Sequence, residues 1–229
     1  MIAGSMRHIN QNSPISDFRG VVIEAIDHFA GNQLFQKLDS KKFDLGLYHK
    51  YLKMIFHQTF NGPSTFALAA ANCNSKYDKI RDYLIHHADE EKSHWEWVQE
   101  DLESTGYKAA DPRNEFPPIA CQSYLAFNYF LAMKFPIARL GAAATLEGIG
   151  AKYGKKSATE LMSQLKLRPN QLKFIFGHGD TDVGHVEDIY KLLESSKLEP
   201  DDWAQLQNAA YVSSRLYRAM YDEVASSTQ

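Results

Sequence analysis

Cysteine is scarce in this sequence. The chain of 229 residues has two cysteines, Cys73 and Cys121, and they form no CxxC pair. The sequence therefore lacks the cysteine framework of a disulfide-stapled secreted domain and the ligands of a thiolate-rich zinc site. We accordingly expect a protein of the reducing cytoplasm.

A large charge of one sign and long apolar runs are also missing. The formal net charge is -3, so the chain has no basic surplus that would favour nucleic acid as a partner. The most apolar stretch, residues 124–151, is interrupted by Lys134, Pro136 and Arg139, and no membrane-spanning helix is expected. The first residues lack the apolar run of a signal peptide, and we expect residues 1–16 to be disordered or left over from an expression vector.

No stretch alternates between apolar and polar residues for long enough to predict a strand. Helical periodicity runs through nearly the whole chain, and 44% of the residues are hydrophobic, as in ordinary globular proteins. The sequence predicts one all-α domain over residues 1–229, a bundle of seven or more helices. They are expected at about 17–38, 44–60, 63–73, 75–106, 119–134, 136–152, 157–166, 169–196 and 200–225.

The apolar stripe of the predicted helix 75–106 is interrupted by ionisable residues. Its members follow strides of three and four and so share one face of the helix. The middle positions of this face are His87, Glu91 and His94. Because burying an unpaired carboxylate costs free energy, such residues persist in an interior when they are paired or bind a metal.

The segment GHGDTDVGH, residues 177–185, interrupts a second stripe in the same way. His178, Asp182 and His185 follow strides of four and three, and they replace apolar residues between Ile175 and Ile189.

Two further positions are candidates. Glu147 is the one carboxylate in the small-residue run 140–151, and His57 lies beside the apolar Met54 and Phe60.

Imidazole nitrogen and carboxylate oxygen without thiolate suit iron, manganese or zinc. The candidates exceed the needs of one ion, whereas a carboxylate-bridged pair of ions between facing helices uses about six ligands. Any histidine taken alone is more often an ordinary hydrogen-bonded side chain. We give this interpretation to His8, His28, His49 and His86.

The set Glu91-x2-His94, Glu147 and His178-x3-Asp182-x2-His185 resembles the heme-oxygenase-like diiron oxidases and oxygenases. That superfamily shares its bundle with TenA-like and PqqC-like proteins and with the chlamydial protein associating with death domains (CADD). The resemblance implies two irons that bind O2, with Mn or Zn as other possible ions, and Glu147 as a bridging ligand.

The resemblance also implies an earlier carboxylate where this chain has His57 or Gln58, and in some members an acid at the position of His87. We therefore expect His57 and His87 as further candidate ligands of a histidine-rich site. The glycines at 177, 179 and 184 each cost about 1 kcal/mol against alanine inside a helix. Residues 174–188 are thus expected to be irregular when no metal is bound.

The first hypothesis for function is a non-heme diiron enzyme that acts on a small organic molecule with O2, expected to be a homodimer. One alternative is a metal-free enzyme of the TenA or PqqC type, which needs a nucleophilic cysteine or several basic residues in its cavity. Another is a non-catalytic binding bundle with a vestigial site, or a heme protein that uses His28 as the axial ligand.

Overall fold

The computed structural model describes residues 13–108 and 111–227, and this part of the chain contains nine α-helices and no strand. Residues 1–12, including His8, lie outside the described residues. None of the described helices combines the length and the hydropathy needed to cross a membrane. The helices are α1 (Pro14–Ala30), α2 (Gln33–Asp39), α3 (Leu45–Asn72), α4 (Asp78–Glu91), α5 (His94–Ser104), α6 (Ile119–Lys134), α7 (Arg139–Leu165), α8 (Lys173–Ser195) and α9 (Pro200–Ser226).

Helix α7 lies at the centre of the bundle and contacts both α8 and α9. Small residues allow these close approaches. A Cβ atom on Gly141 would lie 2.2 Å from the backbone oxygen of Leu206 in α9, and one on Gly154 would lie 3.1 Å from the Cα atom of Gly179 in α8. The alanine and glycine content of α7 thus brings the backbones of its neighbours close to its own.

Two predicted helix boundaries are wrong because packing outweighs local propensity. Helix α3 continues through Pro63, where the sequence predicts an end. Proline removes one helical hydrogen bond, but α3 is packed against α4, α5 and α6. The predicted helix 157–166 is the last part of α7 rather than a separate element.

Two other predicted helices are each divided in two. The predicted helix 17–38 begins earlier, at Pro14, and is broken at Gly31 and Asn32. Asn32 starts α2 as an N-cap, since its side chain accepts a hydrogen bond from the backbone N–H of Phe35 at 2.8 Å. The predicted helix 75–106 breaks between α4 and α5, at Lys92 and Ser93.

Candidate metal centre

Four helices bring the predicted ligands together. Helix α4 carries His87 and Glu91, helix α5 begins at His94, α7 carries Glu147, and α8 carries the triplet His178, Asp182 and His185. Side chains from these helices meet inside the bundle, where His87, His94, Glu147 and Asp182 are buried.

The first donor group consists of His87, Glu91, Glu147 and His185, whose donor atoms all lie within 4.8 Å of one another. Glu147 is held between two histidines. Its Oε1 atom is 3.3 Å from Nε2 of His87, and its Oε2 atom is 3.3 Å from Nδ1 of His185. Two imidazoles and two carboxylates on three helices are a suitable set for one divalent transition-metal ion.

The second donor group consists of Glu91, His94 and His178, again with donor atoms within 4.8 Å of one another. Nδ1 of His94 donates to Oε2 of Glu91 at 2.8 Å, and Nε2 of His178 is 3.9 Å from the same oxygen. Glu91 therefore belongs to both groups, and Glu147, expected from the resemblance to be the bridge, belongs to the first group alone. A carboxylate shared by two groups of ligands is what a bridged pair of ions requires.

The ring of His87 favours a bound cation. Its side chain is 1% exposed, and both of its nitrogens lack a hydrogen-bond partner, because the nearby Glu147 oxygen is not aligned for one. A buried polar group left unsatisfied costs about 1–3 kcal/mol. A metal ion at the first donor group would satisfy Nε2 of His87, the ring nitrogen that lies beside Glu147.

His178 is oriented as a metal ligand is. Its Nδ1 atom lies 3.0 Å from the carbonyl oxygen of Phe174. A carbonyl can only accept, so Nδ1 carries the proton of the neutral ring and Nε2 presents its lone pair towards Glu91. A hydrogen bond from the second ring nitrogen to a backbone carbonyl is the usual support of a ligating histidine.

The carboxylates of Glu91 and Glu147 are held in the ionised form by their histidine neighbours. Burial opposes ionisation of Glu91, but the nearby His178 and the hydrogen bond from His94 outweigh it and hold its pKa well below the usual range. Burial also opposes ionisation of Glu147, yet the hydrogen bond from His185 and the nearby His87 lower its pKa to about 2. The same contact with Glu147 raises the pKa of His185. The donor groups therefore offer negative charge to a cation.

Asp182 lies beside the donor groups but belongs to neither. It is buried and faces the cavity next to the ligands. A Cβ atom on Gly150 would lie 1.7 Å from its Oδ2 atom, so the carboxylate occupies the space that only glycine leaves open there. Whether Asp182 ligates a metal stays a prediction.

His57 is not brought to the donor groups or to the cavity beside them. Its charged neighbours are Glu115 and Lys53, and burial lowers its pKa. The next residue, Gln58, lines the cavity instead. The structure thus assigns the two less certain candidates differently, with His87 inside the first donor group and His57 outside.

Three residues near the site are missed by sequence reasoning. Glu90 is exposed, with Oε2 3.7 Å from Nδ1 of His87 and 3.8 Å from Nε2 of His185. Asp101 is buried in α5, and burial raises its pKa to about 6. Its carboxylate accepts hydrogen bonds from the backbone N–H groups of residues 173 and 174, and so fixes the start of α8 one turn before the first ligand of that helix. The third residue is Arg139, a buried cation in the cavity.

The glycines of α8 have a packing role that the sequence does not reveal. Residues 174–188, expected to be irregular without metal, are part of a continuous helix here. A Cβ atom on Gly177 would lie 2.8 Å from the ring of Trp97, which stacks on His94 at a centroid distance of 4.3 Å. One on Gly179 would lie 3.1 Å from the backbone nitrogen of Lys155, whereas Gly184 faces open space. Two of the three glycines therefore allow close packing around the ligands.

A cavity adjoins the donor groups, with an empty volume of about 1070 Å³ that includes open solvent at its mouth. Glu91, Glu147 and His178 form part of its wall, and most of the remaining wall is apolar. A mostly apolar pocket with a few convergent polar groups is the usual form of a small-molecule site.

Replacing Gly150 with alanine is expected to weaken metal binding through Asp182. The new Cβ would displace the Asp182 carboxylate, and losing a supporting group at a metal site usually lowers affinity about 10-fold to 100-fold. Titration with Zn²⁺ against a competing chelator measures the change. Gly20→Ala is the control, since a Cβ at this exposed helical position meets nothing within 4 Å. Unchanged zinc affinity in Gly150→Ala would show that Asp182 does not support the metals.

Comparison with known proteins agrees with this geometry. A sequence profile of the family described as iron-containing redox enzyme matches residues 49–218. No curated protein sequence matches the chain.

Solved structures share the fold. A domain of unknown function with a heme oxygenase-like fold from Shewanella denitrificans is 22% identical, with a TM-score of 0.85 and coverage of 92% of this chain and 91% of the other. A TenA homologue from P. horikoshii is 15% identical, with a TM-score of 0.74 and coverage of 92% and 97%. Heme oxygenase-1 from the cyanobacterium Synechocystis, solved with heme, is 12% identical, with a TM-score of 0.69 and coverage of 93% and 92%. The predicted all-α, heme oxygenase-like and TenA-like fold is confirmed.

Proposed function

Because the chain belongs to the iron-containing redox enzymes, we propose that it is a non-heme dinuclear-iron oxidase or oxygenase that acts with O2 on a small organic substrate. The observation that supports two ions rather than one is Glu91, whose carboxylate takes part in both donor groups. The apolar cavity beside those groups supports an organic substrate. The expected homodimer and the cytoplasmic location stay predictions.

The residues of this chain would divide the work as follows. His87, His185 and Glu147 would hold one ion, His94 and His178 the other, and Glu91 both. When bound, two irons supply the binding and the reduction of O2.

The second task of the protein is to hold the ligands and the substrate in place. Phe174 fixes the ring of His178 through its carbonyl, and Trp97 supports His94 by stacking. The apolar walls of the cavity would exclude water and orient the substrate against the donor groups.

The alternative functions have less support. A thiol nucleophile has no candidate in the cavity, because neither Cys73 nor Cys121 lines it, and burial raises the pKa of Cys121 to about 12. Heme binding through His28 is not favoured either. Nδ1 of His28 lies 3.2 Å from Oγ of Ser214, and the residue is not part of the cavity wall.

Metal content and O2 uptake test the proposal. Protein expressed with added iron is expected to carry roughly two irons per chain, as in carboxylate-bridged helical-bundle sites, and to consume O2 in the ferrous form. His178→Ala should lose iron and O2 uptake, because the second donor group then keeps only two residues. The exposed His86 supplies the matched control, His86→Ala. Native protein that binds no iron, manganese or zinc at any loading would contradict the proposal.

A further inference from the structure

Arg139 is a buried cation without a carboxylate partner among the described residues. It is the first residue of α7 and is 4% exposed. Its Nε atom donates to Oγ1 of Thr65 at 3.1 Å, and its Cζ atom lies 3.9 Å from the centre of the Phe66 ring. Its Nη1 atom is buried and has no hydrogen-bond partner. A guanidinium keeps its charge in proteins, so a donor left unpaired inside the fold points to a group that is missing.

Arg139 faces the same cavity as the metal-ligand candidates. Phe66 lies between Arg139 and the first donor group. Its ring lies under the guanidinium and also meets the ring of His87 edge-on, with a centroid distance of 4.5 Å. The guanidinium is therefore separated from the first donor group by the thickness of one aromatic side chain. A molecule held at Arg139 would reach the donor groups along the cavity.

The other residues of the cavity wall indicate the chemistry of the rest of the bound molecule. Glu91 and Glu147 act on Arg139 through space, but their oxygens are directed at histidines and would be neutralised by two divalent cations. Arg139 is the only Arg or Lys among the residues described as lining the cavity. The nearby wall is aliphatic and aromatic and includes Leu34, Phe43, Leu146, Ile149, Leu161 and Ile175.

We propose that Arg139 binds the carboxylate of the substrate, and that the substrate class is a small organic acid with an apolar body. A single guanidinium suits a monoanion, whereas a phosphate usually takes several donors. Arg139 is on this view a substrate-binding residue. That the bound acid is a substrate rests on the proposed function, but the binding of the acid to Arg139 can be tested separately.

Paired acids and alcohols test the proposal without turnover. The probes are octanoate and 3-phenylpropanoate, with octan-1-ol and 3-phenylpropan-1-ol as neutral partners, titrated into zinc-loaded and metal-free protein. The wild type is expected to bind each acid at least about tenfold more tightly than its alcohol, since a charge-assisted hydrogen bond to a buried partner contributes that much. Arg139→Gln should lose this preference and keep its affinity for the alcohols, while Arg139→Lys should keep part of the preference.

The results also separate this inference from the proposed function. Equal affinities for acid and alcohol in the wild type would overturn the role of Arg139, as would a preference that survives in Arg139→Gln, because the metals would then hold the acid. If no metal binds but the preference still depends on Arg139, the proposed function fails and the organic-acid site stands. Should Arg139→Gln unfold, Thr65→Val removes the hydrogen bond to Nε and leaves the guanidinium in place, at the loss of the bond from Oγ1 of Thr65 to the carbonyl oxygen of Gly62. This variant should weaken binding of the acids and not of the alcohols, and an unchanged preference would again count against the proposal.

Discussion

Glu91→Gln is expected to remove both metals, not one. Its carboxylate takes part in the first and the second donor groups, and an amide cannot supply the negative charge that would bridge two cations. Iron content should fall from roughly two per chain, the usual number in a bridged helical-bundle site, to near none. Plasma emission spectrometry on protein loaded under identical conditions gives the measurement.

The single-histidine variants make this prediction specific. His94→Ala removes a ligand of the second donor group alone, and His185→Ala removes one of the first group alone. Each should keep more iron than Glu91→Gln. The exposed Glu96 at the start of α5 provides the matched Glu→Gln control, which should keep full content. If Glu91→Gln loses no more iron than the histidine variants, Glu91 does not bridge.

Removing the metals is expected to lower the stability of the protein and to open α8 first. An ion present at about 1,000 times its dissociation constant stabilises the fold by about 4 kcal/mol. For a chain of this size that corresponds to a change in melting temperature of about 8–16 °C. Differential scanning calorimetry with and without chelator measures the shift, and hydrogen exchange should show the largest loss of protection in residues 174–188.

Two glycines of α8 test whether this helix is intrinsically weak. Gly184→Ala places its Cβ in open space and should raise the stability of the metal-free protein by about 1 kcal/mol. Gly179→Ala gains the same helix propensity, but its Cβ would lie 3.1 Å from the backbone nitrogen of Lys155. This crowding should cancel the gain, so the stability of the metal-free protein should not rise. Uniform protection of α8 before and after chelation would show that the metals do not hold this helix.

The sequence predicts most of the candidate site because buried ionisable residues stand out on an apolar stripe. Helical periodicity alone places His87, Glu91 and His94 on one face, and the structure brings His87 and Glu91 into the first donor group and Glu91 and His94 into the second. His57 lies outside both donor groups for a simple geometric reason. Adjacent helical residues differ by about 100° in direction, and the orientation of α3 turns Gln58 rather than His57 towards the cavity.

Other features could not be predicted because they depend on contacts between distant segments. In the sequence, Arg139 is an ordinary charged residue that interrupts an apolar run. Only the packing of α3 beside α7 shows that it is buried with no carboxylate partner among the described residues. The hydrogen bonds from Asp101 to the start of α8 join residues more than 70 positions apart. Helix α3 continues through Pro63 because tertiary packing supports it on both sides.

The break between α4 and α5 frees Glu91 and His94 from the spacing of a continuous helix. In one continuous helix, residues 91 and 94 would be locked to the helical repeat, with Cβ atoms about 5–6 Å apart. Here Glu91 ends one helix and His94 begins the next, and Ser93 between them leaves the helical region with φ -115° and ψ 2°. The spacing of these two candidate ligands is therefore set by the backbone angles of Lys92 and Ser93 and not by the helical repeat, so a helix-forming substitution at either residue would act on both donor groups.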